Sequence, residues 1–412
     1  MKIAILIAFF VLVSPVLAQN ETQPLYMTSN YVYVGGGDYN DTHTIWKLLK
    51  FNMTKIGESA DLGHVVYALA EDETYIYAGI GNGTIWKIQK SDMAKVGSID
   101  YGGQVNELAE DKNYVYAGGN AVVDSIWKIQ KSDMAKIGES ADYGYSITAL
   151  AEDENYIYAG GAGGNNTVWK IQKSDMTKVG ESTGFSGWVL ALAEDENYVY
   201  VGGNNLLKTV WKVQKSDMTK VSEIVYDKEC YALAVDESYL YVAPEGADTV
   251  YKIWKVQKSN MTKVAESVNL GDYGQVFAIA IDENYIYAGG KSQIYHGTVW
   301  KFQKSNLLRV GESAVFNGWI DALTGRFSTL PPSPPLITGL AAGVIGFTPL
   351  LLAIILLLFG IESIALGMQN FSDDPEKATK FMAAGIMMIA IGIVFLSAYQ
   401  STVNSVTLLP RP

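Results

Sequence analysis

Few residues of this chain have a type and spacing that could do chemistry. Three histidines, His43, His64 and His296, and one cysteine, Cys230, are all that 412 residues supply for nucleophilic or metal work. None lies near a nucleophile motif, and the histidines show no ligand spacing, so neither a Ser-His-Asp nor a Cys-His set can be assembled. Cys230 reads as a small buried apolar residue. Gly-Gly pairs such as Gly35-Gly36 and Gly202-Gly203 lack the Lys-Ser/Thr of a phosphate loop and lead into no helix; they read as hairpin turns. Glu71-Asp72-Glu73, Glu152-Asp153-Glu154 and Glu194-Asp195-Glu196 lack the alternation of a calcium loop and read as solvated acidic turns. No catalytic residue, metal site or cofactor is implied.

What the chain has instead is repetition. A Trp-Lys pair recurs at Trp46, Trp86, Trp127, Trp169, Trp211, Trp254 and Trp300. A period near ~40–45 residues points to propeller blades or helical arrays. Each period holds four short runs rich in Tyr, Ile, Val, Trp and Thr. In one copy these are Ser146–Ala151, Tyr156–Ala159, Thr167–Ile171 and Thr177–Val179, designated strands a to d. They are bounded by Gly, Asn, Asp and Ser, and no window carries a helical apolar rhythm. Four antiparallel strands per period and seven periods predict an all-β, seven-bladed β-propeller. The tryptophans, fixed in every copy, read as packing between sheets. One position breaks rank: Ala68, Ala149, Ala191, Ala232, Ala278 and Ala322 correspond to Glu107, which reads as a carboxylate facing the central channel.

The flanks divide the rest. Residues 1–18 resemble a secretory signal peptide, with Lys2, an apolar core and Val16-Leu17-Ala18 before the cut. A lead-in, 19–30, precedes a propeller over 31–326. Phe316–Leu323 repeats the strand a pattern of Phe185–Leu192 with no strands b to d after it. It is expected to close the ring beside Tyr31–Val34, which removes open sheet edges. A proline-rich linker spans 327–335. Within 336–400 two apolar stretches, about 337–361 and 381–399, are long enough to cross a bilayer and form a transmembrane helical hairpin. Small residues on both favour close helix packing, and homo-oligomers through the hairpin. A tail, 401–412, follows.

Composition bounds the partners. The net charge is −12 with no basic block, so nucleic acid is disfavoured on electrostatic grounds and not expected as a partner. Six Asn-x-Ser/Thr sequons in the exported part, at Asn20, Asn40, Asn52, Asn82, Asn165 and Asn260, fall in loops and are candidate N-glycosylation sites. The a–b and c–d turns are nearly identical from copy to copy, whereas the b–c and d–a loops vary and carry aromatics. Binding residues ride on loops held by a rigid scaffold, so Tyr226, Tyr273, Tyr295, Phe316 and Trp319 are the candidate ligand contacts. Strand a runs toward the a–b end, so the chain is expected to leave for the membrane there and to turn the variable face outward.

The repeat [Val/Ile]-x-Ala-Leu-Ala-x-Asp-Glu-x-Tyr-Ile-Tyr-Ala-Gly-Gly…Trp-Lys-Ile resembles the secreted β-propellers with YVTN-, NHL- or PQQ-like repeats. That superfamily holds quinone enzymes and lyases as well as adhesion and scaffold proteins. The adjacent cysteine pair of the quinone enzymes and a lyase-type histidine metal site have no counterpart here. The apolar hairpin is also loosely similar to the coat proteins of spindle-shaped archaeal viruses. The resulting expectation is a membrane-anchored surface protein displaying a propeller to an extracellular glycan or protein ligand. An extracytoplasmic enzyme acting on glycan or peptide, and a structural envelope or virion subunit, are the alternatives.

Overall fold

The computed structural model describes residues 30–37, 43–162, 167–205, 209–226, 229–244, 251–271, 274–293 and 296–324, with 364, 379, 380, 383, 384 and 386 beyond them. The chain divides into two units, 1–328 and 329–412. The first is a ring of seven antiparallel sheets. Blade 4 shows the unit: strand a is Ile147–Glu152, b Tyr156–Gly161, c Val168–Gln172 and d Lys178–Ser182. Blade 1 is assembled from both ends of the ring. Its strand a is Trp319–Thr324, hydrogen-bonded to strand b, Tyr31–Gly37, so the closure expected from the repeat is present.

The strand sequences explain their places. Strand b, with Tyr-Ile-Tyr-Ala or a variant, is buried on both faces and occupies the middle of each sheet. Strand d, with Lys-Val-Gly-Glu or a variant, is mostly exposed and forms the outer edge. There the Lys and Glu pair across the strand, as at Lys136–Glu139, Lys178–Glu181 and Lys220–Glu223. Charge on an edge strand blocks pairing with a second chain.

The Gly-Gly pairs are not turns. They continue strand b as far as Gly161 or beyond, and space rather than conformation demands glycine. A Cβ on Gly160 would lie 2.2 Å from Val189 of the next blade's strand a. A Cβ on Gly203 would lie 1.9 Å from the Trp188 carbonyl of its own strand a. The first glycine thus receives the neighbouring blade, and the second lets the inner strand approach. Cys230 takes the Val/Ile place opposite Gly202; it is fully buried, and burial pushes its thiol up to about 12. Each c–d turn adds a wedge. Met53, Met93, Met134, Met176, Met218 and Met261 all adopt φ near +60°, a left-handed region costly for side chains other than glycine. Their side chains are buried, and Met176 packs over Gly138 of the preceding blade.

Residues 1–29, the linker and most of 329–412 lie outside the described residues, and with them the expected signal peptide and nearly all of both apolar stretches. Among the described residues no helix is long and apolar enough to cross a membrane. The ring makes its own prediction. Ending the chain at Ser313 removes strand a of blade 1 and bares the edge of Tyr31–Gly37. The melting temperature should fall and dimers or larger species should appear on size exclusion, whereas an unchanged melt with a monomeric profile would contradict closure.

Candidate functional site

The two ends of the propeller differ in how completely their polar groups are used. At the a–b and c–d end, they are locked in place. Asp153 accepts the backbone N–H groups of Asn155 and Tyr156, the Tyr158 hydroxyl at 2.8 Å, and Lys215 from the next blade at 2.9 Å. Asp72, Asp111, Asp195, Asp236 and Asp282 repeat the arrangement with Lys131, Lys173, Lys258, Lys304 and Lys50. Burial alone would raise the Asp153 carboxyl, but the Lys215 and Tyr158 hydrogen bonds outweigh it and hold the group below the usual carboxylate range. These are therefore not solvated turns; of Glu152-Asp153-Glu154 only the last is exposed. A cleft of about 410 Å³ at this end, between blades 6 and 7, is walled by the same Asp236–Lys304 pair with Tyr239 and Tyr285, and so is a widened seam.

The lysine of every Trp-Lys pair completes the set. It crosses the seam to a c–d turn carbonyl of the next blade, from Lys47→Lys90 at 2.7 Å round to Lys301→Lys50 at 2.6 Å. On the way each passes over the first tyrosine of its own strand b, 4.2 Å from Tyr31 and 3.8 Å from Tyr285. The tryptophans themselves are clamped. Trp127 is flanked by its own blade's Lys136 at 3.9 Å and by Tyr101 of the preceding d–a loop at 5.0 Å. Trp211 and Trp300 are buried, and the others are half-buried.

This clamp reassigns two of the candidate contacts. Phe316, 3% exposed, packs on Trp46 at 4.3 Å across the closing seam. Tyr226, 1% exposed, hydrogen-bonds Gly203. Neither is a surface group. The d–a loops carry aromatics because a half-buried tryptophan edge needs covering, a requirement invisible until the neighbouring blade is in place. Tyr273, Tyr295, Asn20, Asn40 and Asn165 lie outside the described residues. Asn52, Asn82 and Asn260 are exposed, each accepting through Oδ1 the N–H two residues on, at 3.1, 3.1 and 3.2 Å.

The channel end is where the repeat is left open. All seven inner strands carry a β-bulge at one place, shown by the register shifts around Tyr67, Asn106, Thr148, Leu190, Tyr231, Phe277 and Asp321. A bulge re-aims a side chain. Each bulged residue touches solvent while its preceding neighbour is buried; on the innermost strand that solvent is the channel's. Their side chains run round the ring from blade to blade. Asn106 donates to Ser146 Oγ and the Ile147 carbonyl at 2.9 Å, and Thr148 donates to the Val189 carbonyl. Tyr231 meets Phe277 edge-on at 5.5 Å, and Phe277 stacks with Trp319 at 6.1 Å. Trp319 is thus at the channel mouth, with the Lys291 ammonium 4.8 Å from its ring. Trp188, at the equivalent rim place on blade 5, is 53% exposed.

The result is a two-sided ring: an amide and a hydroxyl on blades 3 and 4, and aromatics on blades 6, 7, 1 and 2, with Trp319 as the aromatic of blade 1 and Tyr67 that of blade 2. The x of the repeat Val/Ile-x-Ala-Leu-Ala is this bulged residue, and its variation among otherwise equal copies was the available signal. Two carboxylates sit at or beside the bulges. Glu107 directly follows the bulged Asn106 and is half-buried; burial pushes it up to about 8 against one hydrogen bond from the Leu108 N–H. Burial likewise pushes Asp321 up to about 7. Among the described residues no group of three His, Cys, Asp or Glu side chains could hold a metal ion.

Glu107 gives a pH test. Its folded pKa lies above the unfolded value, so the folded state holds the extra proton between the two, and stability falls as pH rises from about 4.5 to about 8. Glu107→Gln should melt progressively higher than the parent protein between about pH 5 and about pH 9. Parallel curves would place the Glu107 carboxyl in open water.

No protein-family model matches the chain, and no curated protein matches it. Solved structures do. The crystal structure of the computationally designed Ika8 protein is similar at TM-score 0.56 and 17% identity, over 73% of this chain and 89% of that one. The structure of U3-55K is similar at TM-score 0.53 and 12% identity, over 63% and 84%. At such identities the likeness is one of fold alone: the chain is a seven-bladed β-propeller.

Proposed function

We propose that this protein is a ligand-binding propeller displayed at a membrane surface, with the channel mouth as its binding site. One observation carries the reading. The repeats hold almost every structural position constant, yet place Asp, Tyr, Asn, Thr, Leu, Tyr and Phe at the seven bulges. A closed ring needs no such diversity to stand, whereas recognition of one asymmetric ligand does. An aromatic arc opposite an amide and hydroxyl arc suits a ligand with an apolar and a polar face, as a sugar ring has. Display follows from the sequence: the apparent signal peptide, the sequons and the two apolar stretches support a propeller held outside by a C-terminal anchor. The clamping of the d–a aromatics moves the site inward, from loop tips to the channel mouth.

The test is a glycan array and pull-down with the full chain in detergent. Tyr231→Ala with Phe277→Ala should abolish capture while the melting temperature changes little, since both side chains border the channel. Capture that survives the double substitution would sink the reading.

A further inference from the structure

Deepening that reading, the ring holds one chemical group with no assignment. Asp321, on the closing strand of blade 1, is half-buried, and among the described residues it makes no hydrogen bond and no ion pair. The contrast with the rest of the molecule is sharp. Asp72, Asp111, Asp153, Asp195, Asp236 and Asp282 each hold a lysine and a tyrosine hydroxyl. A half-buried carboxylate without a partner stands out in a fold that gives each of these six aspartates a lysine and a hydroxyl.

Its neighbours say what would pair with it. Around the ring of bulged residues Asp321 stands between Phe277 of blade 7 and Tyr67 of blade 2. Its charge acts on the Tyr67 hydroxyl, which is raised by burial first and by Asp321 second. Trp319, two residues earlier on the same strand, stacks on Phe277 and already has an ammonium, that of Lys291, 4.8 Å from its ring. A carboxylate among aromatic faces is the arrangement that binds organic cations, the charge going to the acid and the alkyl groups to the rings. A hard metal ion would need several oxygen donors, and Asp321 offers one carboxylate. An anion would meet Asp321, Glu107 and a chain of net charge −12.

We propose that the channel mouth takes an organic ammonium ion, held by the Asp321 carboxylate against the rings of Tyr67, Phe277 and Trp319. The inference rests on the channel-mouth reading above and names the ligand's charged group. Lys291 is the internal competitor at the rim, and the ligand ammonium goes deeper.

The probes are choline and its neutral isostere 3,3-dimethylbutan-1-ol, which share a shape and differ in charge. Binding to the full chain in detergent is read by saturation-transfer NMR. Choline should bind at least about tenfold more tightly than the alcohol. Asp321→Asn should weaken choline by about tenfold or more and leave the alcohol unchanged, and Asp321→Glu should restore part of the loss. Equal affinity for both probes, no choline binding at any tolerated concentration, or choline binding unaltered in a folded Asp321→Asn protein would overturn the proposal. If choline fails while a glycan ligand is still lost on Tyr231→Ala with Phe277→Ala, the ammonium inference alone falls and the binding site stands.

Discussion

The structure depends on one contact made seven times: a strand c lysine that crosses the seam and donates to a c–d turn carbonyl of the next blade. Taking an ammonium out of water costs several kcal/mol unless every donor is used. Here the ammonium lies over a tyrosine face and donates to a carbonyl, so the charge is bound on both counts. A second lysine, in the c–d turn, reaches back to the Asp–Tyr pair of the blade before. Adjacent blades are thus linked in both directions. Removing Lys215, for example, would strand Asp153 and Glu194 together.

The lysine stitching is confined to one end, while at the other the d–a aromatics close the seams over the tryptophans. The seams are held by lysines, tyrosines, tryptophans and methionines in every copy, and of the bulged residues Asn106 and Thr148 add hydrogen bonds to the next blade. The constant contacts leave the bulged position free to differ in size and charge from blade to blade. The bulge itself is fixed by glycine: the inner strand comes so close to strand b that no Cβ fits at Gly119 or Gly290. A constant frame with one adjustable side chain per blade is a general way to build a site without disturbing a fold.

Much of the fold was legible in the sequence because it depends on periodicity. The Trp-Lys spacing, the alternating strands and the last copy of strand a at Phe316–Leu323 are all statements about one dimension. The site was less legible because it depends on partners a blade away. Phe316 and Tyr226 read as surface aromatics since nothing along the chain shows the tryptophan or glycine each one covers. Gly160 and Gly203 read as turn residues since glycine is common in turns, and only the approach of Val189 and Trp188 shows that volume is what excludes a side chain. Asp321 drew no notice within a closing repeat. Its place, which is Tyr, Asn, Thr, Leu or Phe in other copies, acquires meaning only when register shows it to be the bulged residue.

Closing the ring with the last strand also sets a schedule. Strand b of blade 1 is made first among the blades, and the strand that covers its inner edge is made roughly 290 residues later, on the order of 15–60 s of synthesis. Throughout that interval six blades can form and lock seam by seam, while Tyr31–Gly37 waits with one side unpaired. Asp321 arrives with the final strand, so the aromatic arc from Tyr231 to Trp319 is finished at the moment the ring shuts. If the channel mouth is the site proposed above, binding competence and complete folding are the same event in time.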